Sequence, residues 1–221
     1  MRFPSVPAMK TDGRLRPPAI AATLLCAALL GVAIGLLVHL GSDGAGTTSV
    51  RAATTSEFTG AQLPEGTRAP GFALTDQAGR TVSLASYRGR VVVLSFLYAG
   101  CVPGCVLIAQ QIRGALDELA RPVTVLIVSV DPVTDTRARV SAFLHQVGLA
   151  GRVEYLTGTA RRLAPVWRAY HVVPPSAGRH DFEETAPVYL IDRRGEESVL
   201  YEEGELTPES LAHDIGKLQE G

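Results

Sequence analysis

Two continuous apolar runs constrain the fold of this chain more than any other feature. Residues 91–98 read VVVLSFLY and residues 123–130 read VTVLIVSV. Neither run alternates between apolar and polar side chains, so each predicts a strand that is covered on both faces. Residues 106–120 carry apolar side chains at helical spacing and predict a helix between the two strands. We therefore expect a parallel strand pair joined by a right-handed helical crossover.

The segments around this unit extend it into a mixed sheet. Hairpins are predicted within residues 72–84 and 188–201, each around a turn-rich stretch, and a short strand is predicted at 153–156. Helices are predicted at residues 136–147, at 160–170 and from Thr207 onward. Strands that alternate with helices indicate an α/β fold, with a central mixed sheet flanked by helices and an extra N-terminal hairpin.

The N-terminal part predicts a membrane anchor. Residues 19–40 contain no Asp, Glu, Lys or Arg, and a helix of that length reaches about 33 Å, enough for a bilayer core of about 30 Å. The preceding charges are mostly positive, so residues 1–18 are expected to be a cytoplasmic basic N-terminus and 19–40 a single transmembrane signal-anchor of the plasma membrane. A signal peptide cleaved within residues 41–46 is the alternative.

The rest of the chain is then extracytoplasmic. Residues 41–66 are rich in Gly, Ala, Thr and Ser and predict a flexible linker. Residues 67–221 have the composition and length of one folded domain. The formal net charge of -1 argues against a nucleic-acid partner, which would require a basic face.

The motif with the clearest chemistry is Cys101-x-x-x-Cys105, directly after the first buried strand and at the start of a helix. This spacing puts both sulfurs on one side of the helix, and a helix N-terminus favours Cys101 as a thiolate. Such a pair can cycle between dithiol and disulfide or bind a soft ion such as Cu(I). Both chemistries require sulfurs that are close together and accessible. Zinc is disfavoured because there is no second cysteine pair.

Further motifs surround the cysteine pair, and together they resemble those of the Sco/SenC family. The matching segments are Pro70–Asp76, Tyr87–Leu94, Cys101-x-x-x-Cys105, Ser129–Thr136 and Tyr189–Asp192. These proteins are membrane-anchored, thioredoxin-like copper proteins that help to assemble cytochrome c oxidase. The resemblance, over about residues 69–218, implies a thioredoxin-like fold and copper bound by two cysteines and one histidine. It implies a cytochrome c oxidase subunit, or another extracytoplasmic thiol protein, as the partner.

The family's histidine ligand is the point of departure. Its position, five residues before Tyr189, holds Glu184, whose oxygen suits Cu(II) better than Cu(I). His180 lies four residues upstream in the same loop and is a candidate displaced ligand; a solvated loop histidine is the alternative. The predicted metal site is therefore Cys101, Cys105 and His180. Asp131 and Asp135 are expected to be turn and N-cap residues.

Four functions remain under comparison. The first is a copper-binding assembly factor. The second is a thiol–disulfide oxidoreductase, in which Cys101 attacks a partner disulfide and Cys105 resolves the adduct. The third is a thiol peroxidase, since peroxiredoxins share the fold. It is disfavoured because the peroxiredoxin active site resembles P-x-x-x-T-x-x-C, and Leu94 and Tyr98 stand here at the positions of its Pro and Thr. The fourth is a tethered interaction domain with a structural disulfide. Such a disulfide would add little stability, because the loop that it closes is short.

Overall fold

The computed structural model describes residues 56–101, 103–175, 186–202 and 204–221. Its strands are β1 (Ala61–Gln62), β2 (Ala73–Asp76), β3 (Thr81–Ser83), β4 (Val92–Leu97), β5 (Thr124–Ser129), β6 (Glu154–Thr157), β7 (Val188–Ile191) and β8 (Glu197–Tyr201). Its helices are α1 (Gly104–Glu118), α2 (Arg137–Gln146), α3 (Ala160–Ala169) and α4 (Pro208–Glu220), with a 3-10 turn at Leu84–Tyr87.

The strands form one mixed sheet in the order β1-β8-β7-β4-β5-β6-β2-β3. Strands β4, β5 and β6 are parallel, and the other pairs are antiparallel. The two apolar runs of the sequence form the central strands β4 and β5, where every side chain except that of Thr124 is buried. Their prediction as doubly covered strands is confirmed, and both predicted hairpins are present as β2–β3 and β7–β8.

The helices pack on this sheet through their apolar sides. Helix α1 packs against α4, whose predicted start is confirmed by a capping box between Thr207 and Ser210. Near the end of α3, the ring of Tyr170 lies 5.3 Å from both Phe96 of β4 and Tyr189 of β7. These aromatic contacts join the α3 end to the centre of the sheet.

The folded domain begins earlier than the sequence predicts. Residues up to 66 were expected to be linker, but β1 pairs with β8. Just before β1, the buried carboxylate of Asp214 on α4 accepts hydrogen bonds from the amides of Thr59 (2.9 Å) and Gly60 (3.0 Å) and from the hydroxyl of Tyr201 (2.5 Å). We call Thr59, Gly60, Tyr201 and Asp214 the Asp214 clamp. The end of the predicted linker is therefore part of the domain.

Two predicted segments lie outside the described residues. These are the transmembrane span at 19–40 and the loop of residues 176–185, which contains His180 and Glu184. Among the helices of the described residues, none has the length and apolar character needed to cross a membrane.

Candidate functional site

The two cysteines lie where strand β4 passes into helix α1. The amide of Cys101 donates a hydrogen bond to the carbonyl oxygen of Tyr98, and α1 begins at Gly104. Cys101 and Cys105 are joined by a disulfide, with their Cα atoms 5.3 Å apart. The predicted convergence of the two sulfurs on one side of the helix start is therefore present in the structure.

The sulfur of Cys101 lies at the positive end of α1. The amide of Cys105 donates to Cys101 Sγ at 3.0 Å. The N-cap residue, Pro103, provides no side-chain acceptor, and the first turn contains no acidic residue. A free N-terminal amide of a helix requires an acceptor, and here a sulfur atom provides it. The same contact would stabilise a Cys101 thiolate after reduction.

The expected accessibility of the sulfurs is wrong for this oxidised state. Cys101 and Cys105 each have a relative exposure of 0%. A reductant, a metal ion or a partner thiol can therefore reach the sulfur atoms only after the chain around the helix start has moved.

An apolar groove of about 280 Å³ lies beside the helix start. It is lined by Gly104, Leu107 and Ile108 of α1, by Val188 at the start of β7, and by Tyr201 at the end of β8. Leu107 is 54% exposed although it is a large apolar residue. The groove thus offers apolar surface next to Gly104, the neighbour of Cys105 in the chain.

A buried carboxylate supports the segment that leads into Cys101. Asp135 accepts hydrogen bonds from the amide of Ala99 (2.7 Å), the hydroxyl of Ser129 (2.6 Å) and the hydroxyl of Tyr155 (2.7 Å). We call these four residues the Asp135 network. It ties the chain two residues before Cys101 to the end of β5 and to the first half of β6, so it positions the cysteine segment.

The predicted N-cap role of Asp135 is therefore wrong. Thr136 is the N-cap of α2 and accepts from the amide of Arg139, which leaves the Asp135 side chain free to turn inward. Asp131 does form the predicted turn, accepting from the amide and hydroxyl of Thr134. The signal that the sequence held was the hydroxyl of Thr136, an equally good N-cap directly after Asp135.

The environment of Asp135 opposes its ionisation. Burial raises the pKa of its carboxyl group, and the negative charge of Asp131 adds to this effect. The hydrogen bonds from Ser129, Tyr155 and Ala99 work in the opposite direction but do not compensate fully. The same burial, with the nearby carboxylate of Asp135, raises the pKa of Tyr155 well above its ordinary value.

The third predicted ligand, His180, and the alternative Glu184 lie outside the described residues. Within the described ranges, no group of three or more His, Cys, Asp or Glu side chains is placed to hold a metal ion. The described donor set is thus the two cysteine sulfurs.

Two other histidines have structural positions. His171 follows α3 with a left-handed φ of 57°, and His213 Nδ1 lies 2.9 Å from Asp214 Oδ1 in the clamp.

The mixed sheet with flanking helices, and a cysteine pair at the start of the helix after a central strand, define a thioredoxin-like protein with a thiol–disulfide site. The chain belongs to the SCO1/SenC family, whose sequence model matches residues 61–220. The copper-bound structure of Bradyrhizobium japonicum ScoI is 28% identical, with a TM-score of 0.53 over 68% of this chain and 99% of that one. The structure of BsSco, titled as a disulfide switch in a member of the Sco family of cytochrome c oxidase assembly proteins, is 19% identical, with a TM-score of 0.57 over 72% of this chain and 98% of that one.

The chain is also similar to curated peroxiredoxins. The putative peroxiredoxin Rv2521 of Mycobacterium tuberculosis is 33% identical over 109 residues, which is 49% of this chain and 66% of that protein. The chain thus spans slightly less than two thirds of this relative. The match is consistent with thiol redox chemistry on a related fold.

Proposed function

We propose that this protein carries copper outside the cytoplasm, holds the ion through the reduced Cys101 and Cys105, and passes it to the copper site of a cytochrome c oxidase subunit. The observation that carries the proposal is the convergence of the two sulfurs at the start of α1, joined by a bond in the oxidised state. Membership of the SCO1/SenC family and the similarity to the copper-bound B. japonicum ScoI support it.

The described donor set fits copper in part. Two thiolates four residues apart at the start of α1 are soft ligands, and Cu(I) prefers soft ligands. The third ligand would come from residues 176–185, which precede β7 in the sequence. We propose His180 for this role and keep Glu184 as the alternative, because it occupies the family's histidine position.

Copper can bind only after the disulfide is opened. A partner dithiol would donate two electrons and two protons: its two sulfurs become a disulfide, and Cys101 and Cys105 become two thiols. Both thiols then lose their protons when they bind the ion. Since the sulfurs are buried, this exchange requires the start of α1 to open toward the partner.

The test is a titration of the reduced full chain in detergent with Cu(I), in competition with a chelator. We expect one copper per chain, and loss of binding in Cys101→Ser and in Cys105→Ser. His180→Ala should weaken binding while Glu184→Ala should not, if His180 is the third ligand. A wild-type chain that loses all its copper to the chelator would contradict the proposal.

A second candidate, thiol–disulfide exchange with an extracytoplasmic protein, is favoured by the hydrogen bond from the Cys105 amide to Cys101 Sγ. In this reaction the Cys101 thiolate attacks a partner disulfide and forms a mixed disulfide, which Cys105 then opens to regenerate the intramolecular bond. Cys105→Ser should therefore accumulate a partner adduct in cells, which Cys101→Ser should not. Equal adduct levels in both variants would argue against this assignment of roles.

The anchor and the compartment are part of the same proposal. We place residues 1–18 in the cytoplasm, 19–40 across the plasma membrane and the folded domain outside it. The test is a reporter that is active only outside the cytoplasm, fused to the C-terminus. We expect the reporter to be active. An inactive reporter would contradict the proposed topology.

A further inference from the structure

Three arginines converge on an open cavity at the end of the sheet opposite the cysteines. The cavity has a volume of about 460 Å³. Arg90 lies in the turn before β4, Arg121 in the loop before β5, and Arg193 in the turn after β7. Because β4 and β5 are parallel and β7 is antiparallel to β4, all three turns meet at one edge of the sheet. We call this cavity the arginine pocket.

The charges of the arginine pocket are not paired with a carboxylate in the part of the chain that the structure describes. Among the residues that the structure describes, no carboxylate lies within ion-pair distance of Arg90, Arg121 or Arg193. Some arginines elsewhere in the domain do pair with carboxylates. Arg113 and Arg152 both contact Asp117, at 2.8 and 2.6 Å.

An acidic residue next to the pocket in sequence is already engaged. Asp192 precedes Arg193, but its carboxylate accepts from Arg194 at 2.9 Å and from the amide of Glu196 at 2.8 Å. Glu220 follows the lining residue Gln219 but is exposed and does not line the cavity, and none of the described lining residues is acidic. The arginine pocket therefore has three cationic groups and no described counter-charge.

The frame of the pocket is fixed by hydrogen bonds between its segments. The amide of Gly89 donates to the carbonyl oxygen of Arg193 at 2.8 Å, which joins the turn before β4 to the turn after β7. Arg121 Nη1 donates to the carbonyl oxygen of Gln219 at 3.1 Å, and Gln219 Nε2 donates to Pro122 at 3.1 Å. The arginines are thus carried on segments that are held in place before any ligand arrives, which reduces the entropic cost of binding.

We propose that the arginine pocket binds a phosphate-type oxyanion, either as a free phosphate or as the headgroup of an anionic lipid. Guanidinium groups donate pairs of parallel hydrogen bonds that match the oxygens of phosphate, and three such groups offer donors for all the unesterified oxygens of a phosphate group. Since β4 separates the pocket from the cysteine segment by about 17 Å of strand, a bound anion would leave the thiol chemistry free.

The test is calorimetric titration of the full chain in neutral detergent, at constant ionic strength set with chloride. The probes are inorganic phosphate and monomeric dihexanoyl phosphatidylglycerol. The pocket variant carries Arg90→Gln and Arg193→Gln. The matched control carries Arg139→Gln and Arg161→Gln, which remove the same charge from exposed positions on α2 and α3.

We expect saturable binding of at least one probe, weakened at least tenfold in the pocket variant and less than twofold in the control. Phosphatidylglycerol binding at least tenfold tighter than phosphate would identify a lipid headgroup, and comparable or tighter phosphate binding would identify the free anion. Absence of saturable binding, or equal losses in the two double variants, would overturn the proposal. All four substitutions are at exposed sites, and unchanged thermal unfolding would verify that the variants are folded.

Discussion

The Asp135 network and the Asp214 clamp both surround a buried aspartate, yet they affect ionisation in opposite directions. Burial raises the pKa of Asp135, and three hydrogen bonds do not compensate. Burial also acts to raise the pKa of Asp214, but hydrogen bonds from Gly60, Tyr201, His213 and Thr59 outweigh it and the pKa is lowered. The balance between burial, neighbouring charge and hydrogen bonds thus decides in which direction the pKa of a buried carboxyl group is shifted.

The difference matches the positions of the two groups. The Asp214 clamp joins the start of the domain to its last helix, where a permanent charge and a fixed geometry stabilise the fold. The Asp135 network supports the segment before Cys101, which has to move before the buried sulfurs can react. We infer that the weaker network lies where movement is needed.

The largest effect is expected for removal of the clamp carboxylate. Asp214→Ala removes the acceptor of the buried Gly60 amide and of the Thr59 amide. It leaves the Tyr201 hydroxyl with the carbonyl oxygen of Ser210 as its acceptor. It should therefore lower the free energy of unfolding by about 3–5 kcal/mol. Urea unfolding of the oxidised full chain would measure this, and hydrogen exchange should show faster exchange of the Thr59 and Gly60 amides. Glu220→Ala, at an exposed position on the same helix, should change stability by less than about 0.5 kcal/mol. Similar losses in both variants would contradict the clamp.

Two glycines test how tightly each region is packed. A Cβ atom at Gly60 would lie 2.6 Å from Val199 Cγ1 and 2.9 Å from the ring of Tyr201, so Gly60→Ala should cost about 2 kcal/mol through overpacking. A Cβ atom at Gly100, next to the Asp135 network, would lie 3.6 Å from the ring of Tyr98, an ordinary contact. Gly100→Ala should therefore be close to neutral. Thermal unfolding of both variants checks the difference, and equal costs would argue against it.

The two tyrosines provide a smaller, matched comparison. Tyr201 donates to Asp214 at 2.5 Å, and Tyr155 donates to Asp135 at 2.7 Å. The Tyr201 bond is the shorter of the two, and shorter hydrogen bonds from hydroxyls to carboxyl groups are the stronger ones. Tyr201→Phe should therefore cost about 1 kcal/mol more than Tyr155→Phe. Urea unfolding at pH 7 measures the difference, and a larger loss in Tyr155→Phe would reverse our ordering of the two regions.

The smallest effect is expected for the pH dependence of stability in Asp214→Asn and Asp135→Asn. The lowered pKa of Asp214 contributes stability above the unfolded value of about 3.9, and this is lost as the pH falls through the folded pKa. The raised pKa of Asp135 contributes stability below about 3.9, and this is lost as the pH rises through the folded pKa. From pH 3 to pH 8, Asp214→Asn should thus become worse relative to wild type and Asp135→Asn better. Parallel curves in urea unfolding would contradict the comparison.

The central fold could be predicted because its signals are local. Strands β4 and β5 are apolar throughout, and the Cys101–Cys105 spacing places the sulfurs together on any helix. Strand β1 could not be predicted in the same way, since both of its side chains are exposed and it is held in the sheet by backbone hydrogen bonds.

The burial of the cysteines and the role of Asp135 depend on contacts between distant segments. The partners of Asp135 come from three segments of the chain, which only the folded sheet brings together. Asp214 is a different case. The apolar positions Leu211, Ile215 and Leu218 already place residue 214 on the inner face of α4, so a charged residue there signalled a buried network.

The clamp also sets an order of events during synthesis. Thr59 and Asp214 are 155 residues apart, and ribosomes add about 5–20 residues per second. The first residues of the domain thus wait about 8–30 s for the helix that holds them. During synthesis the nascent domain would leave its first edge strand without the Asp214 contacts until the C-terminal helix has been made, so truncation of that helix should leave the other end of the domain open to proteases.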